Sequence, residues 1–219
     1  MTNPANNHAS RLVMLFDFDG TLMNTEHLYT PFWDDIGRRM LHEEGFGLRI
    51  KGQTLQRVYS EYFAGRTEEQ DYITQCIDRF EEEMPYDYVA GAREFLEELH
   101  EHHIPTAIVT SSLGKKMGVV MRKRPELKRL ITRVLTADMF GRSKPAPDCF
   151  LLGMRELGGE PRRTVVFEDS ESGLKAGRAS GAFVVGLVTT LPREKVEELA
   201  DLVIDDFTQL RLEDIIERM

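Results

Sequence analysis

The sequence predicts a doubly wound α/β core of Rossmann-like type, a parallel sheet with helices on both faces, carrying an inserted all-helical domain. Three observations predict it. Short apolar runs alternate with longer stretches of helical periodicity, as successive strand–helix–strand units of a parallel sheet do. The first run, Leu12 to Phe16, is apolar throughout, as a strand buried on both faces requires. The segment from about Leu28 to Met84 holds no strand-like run and repeats apolar residues at helical spacing.

Taken in order, residues Met1 to Ser10 carry neither the charged start nor the apolar stretch of a signal peptide, and we read 1–10 as a flexible lead. Leu12 to Phe16 is the first strand. Phe32, Trp33, Ile36 and Met40, then Leu55, Val58, Tyr59 and Tyr62, then Ile73, Ile77 and Phe80 mark successive helices, with Phe32 and Trp33 read as core of the insert. Gly45, Gly47 and Gly52 punctuate them. The acidic run Glu81 to Glu83 followed by Pro85 reads as the return linker. The insert is therefore assigned to 28–85 and the core to 11–27 with 86–219. In the core, Phe95, Leu96 and Leu99 mark a helix and Thr106 to Val109 a strand. Val134 to Leu135 is a short third strand, and Phe150, Leu151, Met154 and Leu157 mark the next helix. Strands at Thr164 to Phe167, Phe183 to Val188 and Leu202 to Ile204 complete the pattern.

Ligands of doubly wound sheets bind beyond the carboxyl ends of the strands, so the residues just past each run matter most. After the first come Asp17-Phe18-Asp19-Gly20-Thr21. Side chains two apart on an extended chain point the same way, which lets both carboxylates reach one site, and Gly20 permits a tight turn after them. After the second come Thr110-Ser111-Ser112, hydroxyls ahead of a helix whose first N–H groups attract an anion. Ser143-Lys144-Pro145-Ala146-Pro147 holds a lysine beside two prolines, with Pro147 suited to a first helical turn. After the fourth run come Glu168 and Asp169, then Ser170 and Ser172, which read as an ordinary helix start.

Four carboxylates and one lysine thus converge. Two unit charges 4 Å apart repel by about 4 kcal/mol at an effective dielectric near 20, so such a cluster calls for a cation. The donors are all hard oxygens, which suits Mg²⁺. A metal, a hydroxyl, a helix start and a lysine together make a site for phosphate.

Charge and composition exclude other classes. A net charge of −9 argues against a nucleic-acid partner, because the phosphate backbone needs a positive field. The basic stretch Arg122 to Arg133 reads as a solvated helix face, and His100, His102 and His103 as a surface helix end. No apolar run approaches the ~20 residues needed to span a bilayer, so no membrane partner is expected. The two cysteines, Cys76 and Cys149, are too few for a disulfide framework. Free thiols fit a reducing compartment, and we expect a cytoplasmic protein, monomer or weak dimer.

The four segments, in this order and each at the end of an apolar run, resemble the four signature motifs of the haloacid-dehalogenase-like superfamily, in its β-phosphoglucomutase-like and phosphatase branch with a helical cap. The resemblance implies a Mg²⁺-dependent phosphohydrolase acting on a small phosphorylated metabolite such as a sugar phosphate. It implies Asp17 as the nucleophile that forms an aspartyl-phosphate, and Asp19 as general acid and then base. Thr110, Ser111 and Lys144 would hold the phosphoryl group. Asp17, Asp19 (through its backbone carbonyl), Asp169 and Glu168 would surround the metal, Glu168 directly or through water. The cap would exclude water and select the substrate, with Lys51, Gln53 and Arg57 either touching it or lying in solvent.

Departures narrow the class. Asn24 stands where many relatives carry an acid, which concerns the hinge and not the nucleophile. A histidine of the β-phosphoglucomutases corresponds to Tyr29, with His27 two residues away. Asp19 argues against a true dehalogenase, which lacks this second aspartate. Lys51, the cap's lysine, lies far along for a Schiff base. The alternatives are a phosphosugar mutase built on the same core and a non-catalytic phosphate-binding regulatory protein.

Overall fold

The computed structural model describes residues 12–51 and 53–219; the expected lead and Gly52 lie outside them. In chain order the elements are β1 (Val13–Phe16), α1 (Glu26–Ile36), α2 (Phe46–Arg49), α3 (Leu55–Tyr62), α4 (Thr67–Glu83) and α5 (Ala92–Glu101). They continue with β2 (Thr106–Val109), α6 (Gly114–Lys123), α7 (Leu127–Leu130), β3 (Arg133–Leu135), α8 (Asp148–Leu157) and β4 (Thr164–Glu168). The last are α9 (Glu171–Ser180), β5 (Phe183–Leu187), α10 (Arg193–Glu197), β6 (Leu202–Ile204) and α11 (Leu212–Ile216).

The six strands form one parallel sheet in the order β3-β2-β1-β4-β5-β6. The doubly wound core is as the sequence predicts, and the apolar runs become its strands. The uninterrupted run in β1 has a simple cause. Met14 and Phe16 face one layer, with Phe95, Leu96 and Leu99 of α5, Met117 and Val120 of α6, and Ile215 of α11. Val13 and Leu15 face the other, with Phe150, Met154 and Leu157 of α8 and Ala176 of α9. Both faces are dry, so neither set can be polar; each fully buried aliphatic or aromatic side chain contributes roughly 1.5–3 kcal/mol.

The topology switches between β1 and β4, the neighbours from which the chain winds in opposite directions. Their register sets Phe16 beside Phe167, and the two rings stack 4.3 Å apart. The Asp17 N–H donates to the Phe167 carbonyl at 2.9 Å. The next residues on each strand, Asp17 and Glu168, therefore emerge side by side where such folds bind ligands. β4 extends one residue past its apolar run, so Glu168 is a strand residue paired with Gly186 of β5.

Helices α1 to α4 surround an apolar cluster of their own, Ile36, Phe46, Ile50, Val58, Phe63, Ile73 and Ile77, with Phe32 and Trp33 packed against it. No helix among the described residues is long and apolar enough to cross a membrane. The basic stretch is largely spent within the molecule. Arg122 pairs with Glu82, Arg124 with Asp87, Arg129 with Glu97 and Arg133 with Glu156, while Lys123 donates to the Met84 carbonyl.

Candidate active site

A cavity of about 210 Å³ lies between the carboxyl ends of the strands and the inserted helices. Asp17, Asp19, Thr110, Ser111, Lys144 and Asp169 line it from the sheet side. Asp17 follows β1 and is nearly buried, whereas Phe18 turns into the core. Gly20 makes the turn that lets Asp19 rejoin the site. Its φ is +82°, and a Cβ there would strike Asp169 Oδ2 and the Glu26 side chain. A left-handed residue other than glycine costs about 1–2 kcal/mol before any collision. Gly20→Ala is expected to lower the melting temperature by at least ~3 °C, since 1 kcal/mol is worth about 2–4 °C at this size. It should also cost about tenfold or more in kcat/KM by displacing Asp169; a thermal melt and initial rates check both.

Lys144, only 2% exposed, sits between two acids. Its Nζ donates to Asp17 Oδ1 at 2.5 Å, to Glu168 Oε1 and to the Val109 carbonyl at 3.2 Å. Burial alone would pull its pKa down, but Asp17 and Glu168 outweigh it and hold the ammonium above the usual lysine range. The other Glu168 oxygen accepts from Asp169 N at 2.9 Å, Ser170 N at 3.0 Å and Ser170 Oγ at 3.0 Å. Glu168 thus anchors Lys144 and the turn into α9. Ser170 also caps α9 by accepting from Gly173 N, the helix-start role expected of it.

Asp17, Glu168 and Asp169 each offer an oxygen within 4.8 Å of the others. Asp169 Oδ1 accepts from Thr21 Oγ1 at 2.8 Å, but its Oδ2 is buried without a hydrogen-bond partner. An orphaned buried carboxylate oxygen is costly unless something cationic meets it. Burial, with Lys144 opposing and Glu168 and Asp169 reinforcing it, holds the Asp17 carboxyl well above the usual range. Asp169 is raised by burial, then by Glu168 and Glu26. A dry set of hard oxygens, one unpartnered, fits Mg²⁺.

The Thr110 hydroxyl accepts from Ser112 N at 3.0 Å, shaping the loop before α6 while lining the cavity. From the connection between α2 and α3 come Lys51 and Gln53, but α3 does not contribute Arg57, which faces solvent and pairs with Glu61 at 3.5 Å. The side of α3 turned inward carries Leu55 and Val58, and Arg57 lies off it. Lys51 Nζ lies 3.4 Å from Glu26 Oε2. Burial, then the neighbouring Asp19, push the Glu26 carboxyl up to about 7 despite Lys51. Gln53 Oε1 is buried without a partner. Tyr29 points inward and its hydroxyl donates to Glu81 Oε1 at 2.8 Å, whereas His27 is exposed and meets Asn24.

Sequence reading missed Glu26 and Lys116. Lys116 is 2% exposed, and its Nζ reaches both Asp19 oxygens. The available signal was helical spacing: Lys116 shares the face of Val119 and Val120, the side turned to the core. Glu26 opens α1, seven residues past Asp19, with no local pattern to set it apart from an acidic first turn.

Fold and site together define a doubly wound α/β protein with a carboxylate–lysine centre at its topological switch point. The chain belongs to the haloacid dehalogenase-like hydrolase family, whose model matches residues 14–187. It is 30% identical over 205 residues to validoxylamine A 7'-phosphate phosphatase of Streptomyces hygroscopicus subsp. limoneus, covering 91% of this chain and 95% of that one. It is 31% identical over 205 residues to hexitol phosphatase A of Escherichia coli, covering 90% and 91%. A hydrolase structure of this family from Entamoeba histolytica superimposes with a TM-score of 0.82 at 22% identity, over 94% of this chain and 98% of the other.

Proposed function

We propose that the protein is a Mg²⁺-dependent phosphatase that hydrolyses a sugar or polyol phosphate through an aspartyl-phosphate. The observation that carries this reading is the buried centre in which Asp17 stands beside Lys144 and the unpartnered Asp169 oxygen. Asp17, Asp169 and the Asp19 carbonyl would hold Mg²⁺, with Glu168 behind them, and the ion would neutralise phosphoryl charge. Lys144 and the loop from Thr110 to Ser112 would hold the phosphoryl oxygens.

In the first half-reaction an Asp17 carboxylate oxygen attacks phosphorus. The bond from phosphorus to the ester oxygen breaks, and that oxygen takes a proton from the Asp19 carboxyl. In the second, the Asp19 carboxylate removes a proton from water as the water oxygen attacks phosphorus. The Asp17–phosphorus bond breaks and inorganic phosphate leaves. Ester and water become alcohol and phosphate, and both aspartates are restored. The inserted helices would close the cavity against bulk water and read the alcohol through Gln53, Lys51 and Glu26. The two phosphatase relatives are named for validoxylamine A 7'-phosphate and for hexitols, which supports a small phosphorylated substrate.

A mutase reading has less support, since His27 is turned to Asn24. A purely binding role gains nothing from crowded buried carboxylates, which repel an anionic ligand. The test is phosphate release from p-nitrophenyl phosphate and a panel of sugar and polyol phosphates, with Mg²⁺ or with chelator. Metal-dependent release that is highest on a polyol or sugar ester is expected. Phosphate relocation that needs a hexose bisphosphate, with no free phosphate, would replace this reading with the mutase.

A further inference from the structure

We propose that Lys116 is a positioning residue for Asp19, holding its carboxylate turned toward the leaving-group oxygen; the proposal rests on Asp19 being the proton donor of the reading above. The Asp19 carboxylate accepts from Thr25 Oγ1 at 2.6 Å and Ser112 Oγ at 3.0 Å. Lys116 Nζ spans the two acceptor oxygens, at 2.5 Å from each, and also donates to Ser112 Oγ at 3.0 Å. All three ammonium hydrogens are thereby committed to Asp19 and to the hydroxyl that supports it. Asp19 sits on the turn after β1 and has free rotation about its side chain; two hydroxyls alone leave that rotation loosely defined. A cation bridging both oxygens fixes it.

The lysine itself has no freedom to wander. Its Nζ lies 4.7 Å from the Tyr29 ring centroid and 5.3 Å from that of Phe18. Tyr29 belongs to α1 and is hydrogen-bonded to Glu81 of α4, so Lys116 is seated between the sheet domain and the inserted helices. Burying an ammonium here is unfavourable without partners, and its partners are Asp19 and that aromatic seat. Lys144 already faces Asp17 on the other side of the site, so phosphoryl charge has its own lysine. Lys115, the adjacent residue, is exposed and paired with Asp78, which leaves Lys116 to serve Asp19.

The test separates proton donation from other roles. A nitrophenolate leaves without help, whereas an alkoxide needs a proton, so loss of a well-placed acid falls harder on an alkyl ester. The variant is Lys116→Met, which keeps the apolar stem against Phe18 and Tyr29. Values of kcat/KM are measured with glycerol 3-phosphate and with p-nitrophenyl phosphate. The expected loss is at least ~10-fold greater on glycerol 3-phosphate. Ser112→Ala, which keeps the lysine, should skew the ratio in the same direction by a smaller factor; it serves if Lys116→Met does not fold. Equal losses on both esters from protein with a native-like melt overturn the proposal, as does an unchanged ratio in both variants. A native protein with no Asp17-dependent turnover of either ester removes the premise and the proposal with it, and that failure is visible before any Lys116 variant is assayed.

Discussion

Asp17→Asn is expected to abolish turnover, by about 10⁴-fold or more, the scale on which loss of a nucleophile acts. An amide oxygen can still accept from Lys144, now found 2.5 Å from Asp17 Oδ1, so the local geometry has a reason to persist. The amide cannot form the acyl phosphate. Stability should move the other way. In the native protein Glu168 and Asp169 both raise the Asp17 carboxyl, after burial itself. The neutral amide replaces a carboxyl whose ionisation the site opposes, and the metal-free melting temperature should not fall. Activity assays and thermal melts on the same preparation check the pair. Turnover above about a tenth of native, in a sample whose mass spectrum shows the amide intact, would sink the nucleophile assignment; lost turnover with a collapsed melt would leave only a folding defect.

Removal of Mg²⁺ should have the next largest effect, and its pH dependence carries a sign. Asp17 and Asp169 have raised values in the folded, metal-free protein, and Glu26 reaches about 7. The unfolded carboxylates titrate near 4. Above that, the folded state holds protons that the unfolded state has lost, so stability falls as pH rises toward the folded values. Lys144 is raised as well and so carries the same sign, but only above about pH 10, where the unfolded lysine titrates. The metal-free protein should therefore melt lower at pH 8 than at pH 6. Mg²⁺ displaces those protons and should stabilise more at pH 8. At 100 times its dissociation constant a ligand adds about 2.7 kcal/mol, or about 5–11 °C at 2–4 °C per kcal/mol. Melts at both pH values with Mg²⁺ or EDTA measure this, alongside EDTA-sensitive turnover. A melting temperature indifferent to Mg²⁺ at both pH values would contradict a metal at this centre.

Some of this molecule is written locally. The dry faces of a parallel sheet demand apolar residues at every position of β1, so its run reads as a buried strand without further help. Asp17 and Asp19 come next in the chain, and their spacing of two lets extended backbone aim both the same way. Glu168 and Asp169 could be placed at a strand end, and Phe150, Met154 and Leu157 on a buried helix face. Each of these follows from residues within a few positions of one another.

What the chain alone could not decide was which partners those residues would find. Glu168 carries the same carboxylate as Asp169, yet its oxygens are taken by Lys144 and the start of α9, while Asp169 keeps one oxygen unpartnered. That difference arises from the β1–β4 register and the fold-back of Lys144, 127 residues after Asp17. Arg57 and Lys116 both sit on amphipathic helices, yet one meets solvent and the other meets Asp19. Helical spacing says which residues share a face; only the packing of α3 and α6 against the rest says where that face is turned. The sequence by itself determined the sheet, the carboxylates at its strand ends and the family. The tertiary structure decided the pairing of charges at the site, because the free energy of a buried charge is set by neighbours brought in from distant parts of the chain.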